Sequence, residues 1–399
     1  MTGRALPLTE SRRTADAHGA TSRTPTLTLA TAPALLDDAV STRLEQLDPI
    51  RLHRAKKAYT TRFVAALFAA DPRGYSLRSG DGVVPSAGDV ALARVVEIGR
   101  HTRLESPVSR RQTLFVGDEV LLAYGHRYAP DQFEAEVPGD LTEAHLVAAG
   151  GLVGQVTAQH MLIDQPTVVQ PLGLLVDGGG VVTLERVAPK RIRTELPDPI
   201  PARFPPNRPT VIAVLGTSMN SGKSTTLACL VRGLTYAGLQ VSAGKATGTG
   251  AGGDPRLFTD AGAHRVLDFT DFGFPSTFRL DYDRVRSLLV SLIDELATPG
   301  TDVVVVEIAD GVYQTETGQL LSDPLFHAAV DRVVFSASDA LGAVAGVSVL
   351  EAAGVDVAAV SGVLTSSPLA AREATAALDV TVFATAALSD PDIARTVLP

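Results

Sequence analysis

Residues 210–226 read TVIAVLGTSMNSGKSTT, and the first seven constrain the fold more than any other stretch of the chain. A continuous apolar run of that length, closed by a glycine, is the pattern of a strand buried on both faces, with helices above and below its sheet. The residues after it place Gly-Lys-Ser-Thr at the opening of a helical pattern. Strand, glycine turn and helix in that order aim backbone N–H groups and a helix N-terminus at one anion. The common phosphate loop has four residues between its glycines. Here five residues, 217–221, separate Gly216 from Gly222.

Downstream of this loop the chain alternates. A helix is predicted over 222–237 and a strand over 240–245. A helix near 282–297 precedes a strand at 302–310, then come a strand at 332–338, a helix at 340–353, and strands at 357–364 and 380–386. Such alternation implies a parallel sheet covered by helices on both faces. Ligands of such sheets bind at the carboxyl ends of the strands.

Upstream, PKRIRTELPDPIPARFPPNRPT (189–210) holds seven prolines in 22 residues. Few backbone donors remain for a helix or sheet, so 189–209 reads as an extended linker and a boundary. Before it, short β-rich runs at 90–99, 113–117, 119–125, 145–156, 167–177 and 181–187 predict a smaller barrel- or sandwich-like domain. Leu35, Leu36, Val40, Leu44, Leu52, Ala55, Phe63 and Leu67 have helical spacing and predict a helical lead-in. Residues 1–30, biased to Ser, Thr, Ala and Arg, read as a disordered tail. The expected organisation is therefore tail, accessory domain over 31–188, linker over 189–209, and nucleotide-binding domain over 210–399. The strand–helix series from about residue 205 reads as sufficient for a core of its own.

Charge and composition narrow the function classes. A net charge of −9 argues against nucleic acid as a partner. The single cysteine, Cys229, excludes an internal disulfide or a cysteine-rich zinc site and suits a reducing cytoplasm. No run approaches the roughly 20 apolar residues that span a bilayer. The eight histidines lack metal-ligand spacing. Richness in Ala, Arg, Val and Asp without tryptophan fits a high-GC bacterial coding sequence. A homodimer is compatible with these features.

The loop GTSMNSGKSTT resembles that of dethiobiotin synthetase and related bacterial P-loop proteins, G-T-x-x-x-x-G-K-[ST]. The resemblance extends over about residues 210–386. VSAGKATGTGAGGD (241–254) matches that group's strand-end lysine and Gly-rich stretch, with Lys245 in place. Its acidic metal ligand falls on Asp254, with Asp260 as second choice. VVVVEIADG (303–311) keeps Glu307 and Gly311 but carries Ile308, Ala309 and Asp310 where the group has V-E-G-A-G-G. The resemblance implies a P-loop NTPase fold with Gly216, Thr217, Asn220, Ser221, Gly222, Lys223, Ser224 and Thr225 around the phosphates of ATP. It also places Thr365 and Ser366 near the base, although the expected asparagine is absent there.

The same residues make chemical sense singly. Phosphoryl transfer depends on positioning and on neutralising charge that moves among phosphate oxygens. Lys223 reaches the β- and γ-phosphates, and Lys245 serves a γ-phosphate or an acceptor carboxylate. Ser224, Asp254 and Glu307 offer Mg²⁺ the hard oxygens it prefers. Lys223, Lys245 and Glu307 are the catalytic candidates; a strand-end lysine or acid facing solvent is the plain alternative for the last two. Thr247, Asp271, Asp310 and Tyr313 are substrate candidates, with Thr315 and Glu316 beside Tyr313. Asp268 and Asp271 either bind a substrate amine or face water from a loop packed on Phe269, Phe272, Phe274 and Phe278. GHRYAPDQFEAEVP (125–138) is either a functional surface or an ordinary exposed loop.

The expected activity is that of a Mg²⁺- and ATP-dependent ligase or kinase that phosphorylates a carboxylate or similar small acceptor. Ring closure to dethiobiotin itself is not expected, given the extra domain and the altered 307–311 segment. Two alternatives stay open: a coenzyme A-dependent acyltransferase holding pyrophosphate in the loop, and a nucleotide-dependent accessory protein for cofactor assembly.

Overall fold

Val211, Ile212, Ala213, Val214 and Leu215 are fully buried in the computed structural model, in the interior of a six-stranded parallel sheet. The structure describes residues 42–71 and 73–399; the predicted tail and positions 35, 36 and 40 of the helical lead-in lie outside them. Across the sheet the strands run Arg265–Asp268, Val241–Lys245, Val303–Glu307, Thr210–Gly216, Arg332–Ser336 and Val357–Ser361. All neighbours are parallel. After Thr210–Gly216 the chain moves to one side of the sheet, and it later returns to build the other. The loop at residue 216 thus opens at the crevice where strand order reverses.

Helices cover both faces, as the double burial requires. Lys223–Tyr236 lays Leu227, Leu230, Val231 and Leu234 against Ile212 and Val214. On the other face Tyr282–Leu296 and Ala340–Ala352 pack Leu288, Leu292 and Val347 against Val211, Ala213 and Leu215. The strand expected at 380–386 does not form: Val382 makes a single bridge to Val360, and Thr385–Ser389 is a 3₁₀ turn. Thr385 turns inward instead to hydrogen-bond Thr365 and the Gly362 carbonyl.

The N-terminal half is a small closed barrel. Strand Thr167–Asp177 pairs with Val90–Glu97, which pairs with Glu119–Tyr124. Glu119–Tyr124 meets Leu152–Gln159, and Ala144–Ala148 joins that strand back to Thr167–Asp177. Closure leaves these five strands without a free edge. The interior is filled by Ala91, Ala93, Val120, Leu122, Leu146, Val153 and Val169. The run expected as a strand at 113–117 pairs only as far as Thr113, with Phe115 and Val116 exposed in the following turn. The helical lead-in is broken too. Pro49–Arg54 and Arg62–Ala70 are separate helices, with strand Lys56–Lys57 between them pairing to Glu119–Tyr124.

Residues 189–209 contain neither helix nor strand, yet they do not float in solvent. Phe204 is buried with Val290 and Leu325, and the Arg208 guanidinium binds the Asp331 carboxylate and three backbone carbonyls. The described residues form one compact unit across this segment. Glycines allow the barrel to approach the sheet domain closely. A β-carbon on Gly150 would collide with the Gly250 carbonyl oxygen, and Glu105 Oε2 accepts from the Gly252 N–H at 3.0 Å. Gly150→Val is therefore expected to lower stability by about 2 kcal/mol through overpacking against backbone. Denaturant unfolding checks this; an unchanged midpoint would mean the two halves part without cost.

Candidate functional site

Strand register explains the central cluster. Pairing sets Lys245 opposite Glu307 and Val214 opposite Glu307, one turn below the loop that starts at Gly216. The chain leaves the sheet at that edge, where two neighbouring strands deliver Lys245 and Glu307 beside the loop that leaves the third strand at Gly216.

The loop is built on glycine and asparagine in left-handed conformations. Asn220 has φ 62° and Gly222 φ 97°, the latter immediately before the helix. A side chain at Gly222 would be strained by that φ. The first intrahelical bond runs from the Thr226 N–H to the Gly222 carbonyl at 2.8 Å. The N–H groups of Lys223, Ser224 and Thr225 therefore stand at the helix mouth. Lys223 is 6% exposed, and its Nζ donates to the Ser218 carbonyl at 2.8 Å, inside the loop. Burial pulls its pKa down, an effect that Glu307 and Asp310 oppose.

A cavity of about 550 Å³ opens above this edge. Of the sequence-derived candidates, Asn220, Gly222, Lys223, Ser224, Thr225, Lys245, Asp254, Glu307 and Asp310 line it. Lys245 Nζ lies 3.0 Å from Glu307 Oε1 and also pairs with Asp254. Burial alone would lower the lysine's pKa, but Glu307 and Asp254 together raise it, so it is held as a cation. Burial pushes the Asp254 carboxyl up, yet Lys245 and Ser224 bring it below the ordinary range. Asp310 goes the other way: burial raises its pKa against the pull of Lys223 and Lys245.

The other candidates sit elsewhere. Gly216, Thr217 and Ser221 form the base of the loop; the Thr217 N–H donates to Ser336 and the Ser221 carbonyl accepts from Val363. Thr247 is buried, with its hydroxyl on the Ala309 carbonyl, and shares a small neighbouring pocket with Asp310. Tyr313 is 81% exposed. Thr315 begins the helix Thr315–Leu321, and Glu316 accepts from the Arg279 N–H at 2.7 Å. Asp260 is exposed at the end of Gly253–Asp260, away from the cavity lining. Thr365 donates to the Gly362 carbonyl at 2.8 Å and Ser366 is exposed; Val363 is what this turn contributes to the cavity.

Asp268 and Asp271 do not line the cavity; they fasten the barrel to the sheet domain. Asp271 accepts from the Asp268 N–H at 2.8 Å and pairs with Arg62 at 2.8 Å. Asp268 caps the turn Phe269–Phe272 and accepts from Tyr59 Oη at 3.3 Å. Burial and the neighbouring Asp271 raise the Asp268 pKa to about 6, against the pull of Arg62. The folded protein therefore holds this proton to higher pH than the unfolded chain, whose carboxylate titrates at 3.8. Its contribution is fully present below pH ~4 and is lost as pH rises through ~6. Asp268→Asn should remove that slope and gain up to about 3 kcal/mol relative to wild type between pH 4 and 8. Unfolding curves across that range test it; parallel profiles for the two proteins would refute the assignment.

Sequence reading left segment 125–138 open between a functional surface and an ordinary loop and missed His101; the structure makes both part of a wall contributed by the barrel. His101, Arg127, Tyr128 and Gln132 line the same cavity, facing the loop. Asn220 Nδ2 donates to Asp131 Oδ2 at 2.7 Å, joining the phosphate loop directly to segment 125–138. The signal was the density of polar and aromatic residues in that segment, which does not by itself say what they face.

The donor set fits a nucleotide with a divalent cation. Glu307 Oε2 and Ser221 Oγ are buried without hydrogen-bond partners beside the helix mouth. Among the described residues no three His, Cys, Asp or Glu side chains group to hold a metal alone. Mg²⁺ would complete its shell with phosphate oxygens and water. Also among the described residues, no helix is long and apolar enough to cross a membrane.

Parallel sheet, loop and strand order together are a P-loop NTPase fold. No protein-family profile and no curated protein sequence matches the chain. Among solved structures it is similar to the signal recognition particle receptor FtsY from Elizabethkingia anophelis, at 18% identity and a TM-score of 0.29, over 40% of this chain and 51% of that one. It is similar to the signal recognition particle 54 kDa protein from Aeropyrum pernix K1 in complex with GDP, at 17% identity and 0.33, over 50% and 49%. FtsY from Mycoplasma mycoides matches at 14% identity and 0.32, over 49% and 68%. The chain spans about half the length of the first two.

Proposed function

We propose that this chain is a Mg²⁺-dependent enzyme that transfers the γ-phosphoryl group of ATP to a small acceptor, most simply a carboxylate. The observation that carries this reading is the single cavity holding Lys223, Ser224, Lys245, Asp254 and Glu307, with space left beneath the barrel wall. The resemblance to dethiobiotin synthetase-like proteins in the loop, Lys245 and Glu307 supports the same chemistry.

Each residue has a defined task in this scheme. Lys223 and the N–H groups at the helix mouth hold phosphate oxygens. Ser224, Asp254 and Glu307 would hold the metal ion, which when bound neutralises phosphate charge. Lys245, kept cationic by Glu307 and Asp254, is available to orient an anionic acceptor. An acceptor oxygen attacks the γ-phosphorus, the bond to the β–γ bridging oxygen breaks, and ADP leaves with that electron pair. The product is an acyl phosphate.

The test is ADP release from the purified full-length chain with Mg²⁺, measured alone and with a panel of mono- and dicarboxylates. Acceptor-dependent release supports the proposal. Acetyl-CoA binding without ATP turnover would replace it with acyl transfer. Slow hydrolysis indifferent to every small acceptor would point to an accessory protein.

A further inference from the structure

Segment 125–138 brings a third cation to the cavity, opposite the P-loop. Arg127 lines the cavity yet is only 4% exposed. Its Nη2 donates to Gln132 Oε1 at 3.0 Å, while Nε and Nη1 are buried with no hydrogen-bond partner. Three cations line this space: Lys223, Lys245 and Arg127. Lys245 is ion-paired with Asp254 and Glu307, whereas Lys223 and Arg127 form no ion pair with any described carboxylate. Lys223 belongs to the phosphate loop. Arg127 therefore has no carboxylate at ion-pair distance, although Asp131 and Asp310 act on it from farther off, and a buried guanidinium with free donors is costly unless something pairs with it.

Its surroundings favour an anion on that wall. His101 lines the same side, and its Nδ1 is also buried without a partner. Burial, with help from Arg127 and Arg100, pushes the His101 pKa down to about 3, so the imidazole is neutral at ordinary pH. A ligand there meets the Arg127 charge and a neutral ring, with the Asp131 and Asp310 carboxylates farther off. Burial brings the Arg127 pKa down to about 10, opposed by Asp131 and Asp310, which still leaves it charged. Gln132 fixes the guanidinium from its own segment, and the Asn220–Asp131 bond holds that segment against the loop. The free N–H groups on Nε and Nη1 lie on different edges of the guanidinium plane, so each offers one charge-assisted bond to an oxygen of a carboxylate or phosphate.

We propose that Arg127 binds an oxyanion of the second substrate, a carboxylate or a phosphate, on the barrel wall across from Lys223. The identification of that anion as belonging to a second substrate rests on the phosphoryl-transfer reading above. The barrel is then the acceptor-recognition half of the enzyme.

Thermal shift and calorimetry on the full-length chain test this, using wild type, Arg127→Met and Arg127→Lys. Succinate and inorganic phosphate are titrated separately into the protein saturated with a non-hydrolysable ATP analogue and Mg²⁺. One of the two anions is expected to stabilise wild type saturably, and the one that does identifies the chemistry. Arg127→Met should weaken that anion about tenfold or more, and Arg127→Lys by less, since charge survives without the guanidinium plane. Affinity for the analogue itself should change less than about threefold in both variants. If Arg127→Met is unstable, the lysine variant decides. Stabilisation of wild type by neither anion overturns the proposal. So does a loss confined to the ATP analogue, which would assign Arg127 to the nucleotide's terminal phosphate. Failure of wild type to bind the analogue would sink the phosphoryl-transfer reading instead; an anion response sensitive to Arg127 would still support the binding site.

Discussion

Lys223→Ala is expected to abolish nucleotide-dependent turnover, by about a thousandfold or more, while leaving the chain folded. The side chain contributes charge rather than apolar packing. Its ammonium is buried against the Ser218 carbonyl, and burial already depresses its pKa. Removing a buried cation without a carboxylate partner takes away a desolvation cost, so thermal stability should hold or rise slightly. Activity and unfolding must be measured on the same preparation. Unchanged turnover in a folded variant would end the assignment of residues 216–225 as a phosphate loop.

Glu307→Gln separates metal from packing. The substitution keeps shape but removes the charge that sits 3.0 Å from Lys245 and the buried oxygen that has no partner. Nucleotide should still bind, because the loop and Lys223 are untouched. Mg²⁺-dependent turnover should fall by orders of magnitude, as expected when several kcal/mol of charge stabilisation are disturbed. Lys245 would then lean on Asp254 alone, so its pKa should fall from its raised value. A Mg²⁺ titration decides the matter: wild-type rates at every concentration would make Glu307 a bystander and move the role to Asp310, which lines the same cavity.

The sheet domain was largely legible because its signals are local. Five consecutive apolar residues closed by glycine specify a doubly buried strand, and Gly-Lys-Ser-Thr after it specifies the helix mouth. Lys245 and Glu307 could be named from the resemblance of 241–254 and 303–311 to dethiobiotin synthetase-like proteins, and both sit at strand ends. Their ion pair needed the register itself, which sets Lys245 directly opposite Glu307.

The strand expected at 380–386 shows the limit of such reasoning. Val380, Val382 and Phe383 have strand propensity, but Thr385 is drawn inward by the Gly362 turn, and one bridge is all that forms. Asp268 and Asp271, paired acids among aromatic residues, read as either binding a substrate amine or facing water. Their partners, Tyr59 and Arg62, lie about two hundred positions away in sequence, beyond the reach of periodicity.

By itself the sequence determined the phosphate loop, the parallel sheet and the acidic and basic strand ends, since each depends on residues within a turn or a strand of one another. Tertiary structure alone decided that the barrel closes, that Gly150 meets Gly250, and that segment 125–138 faces Lys223 across a shared cavity. Those facts depend on how two surfaces distant in sequence dock, and docking follows from shape and buried charge that no local pattern encodes.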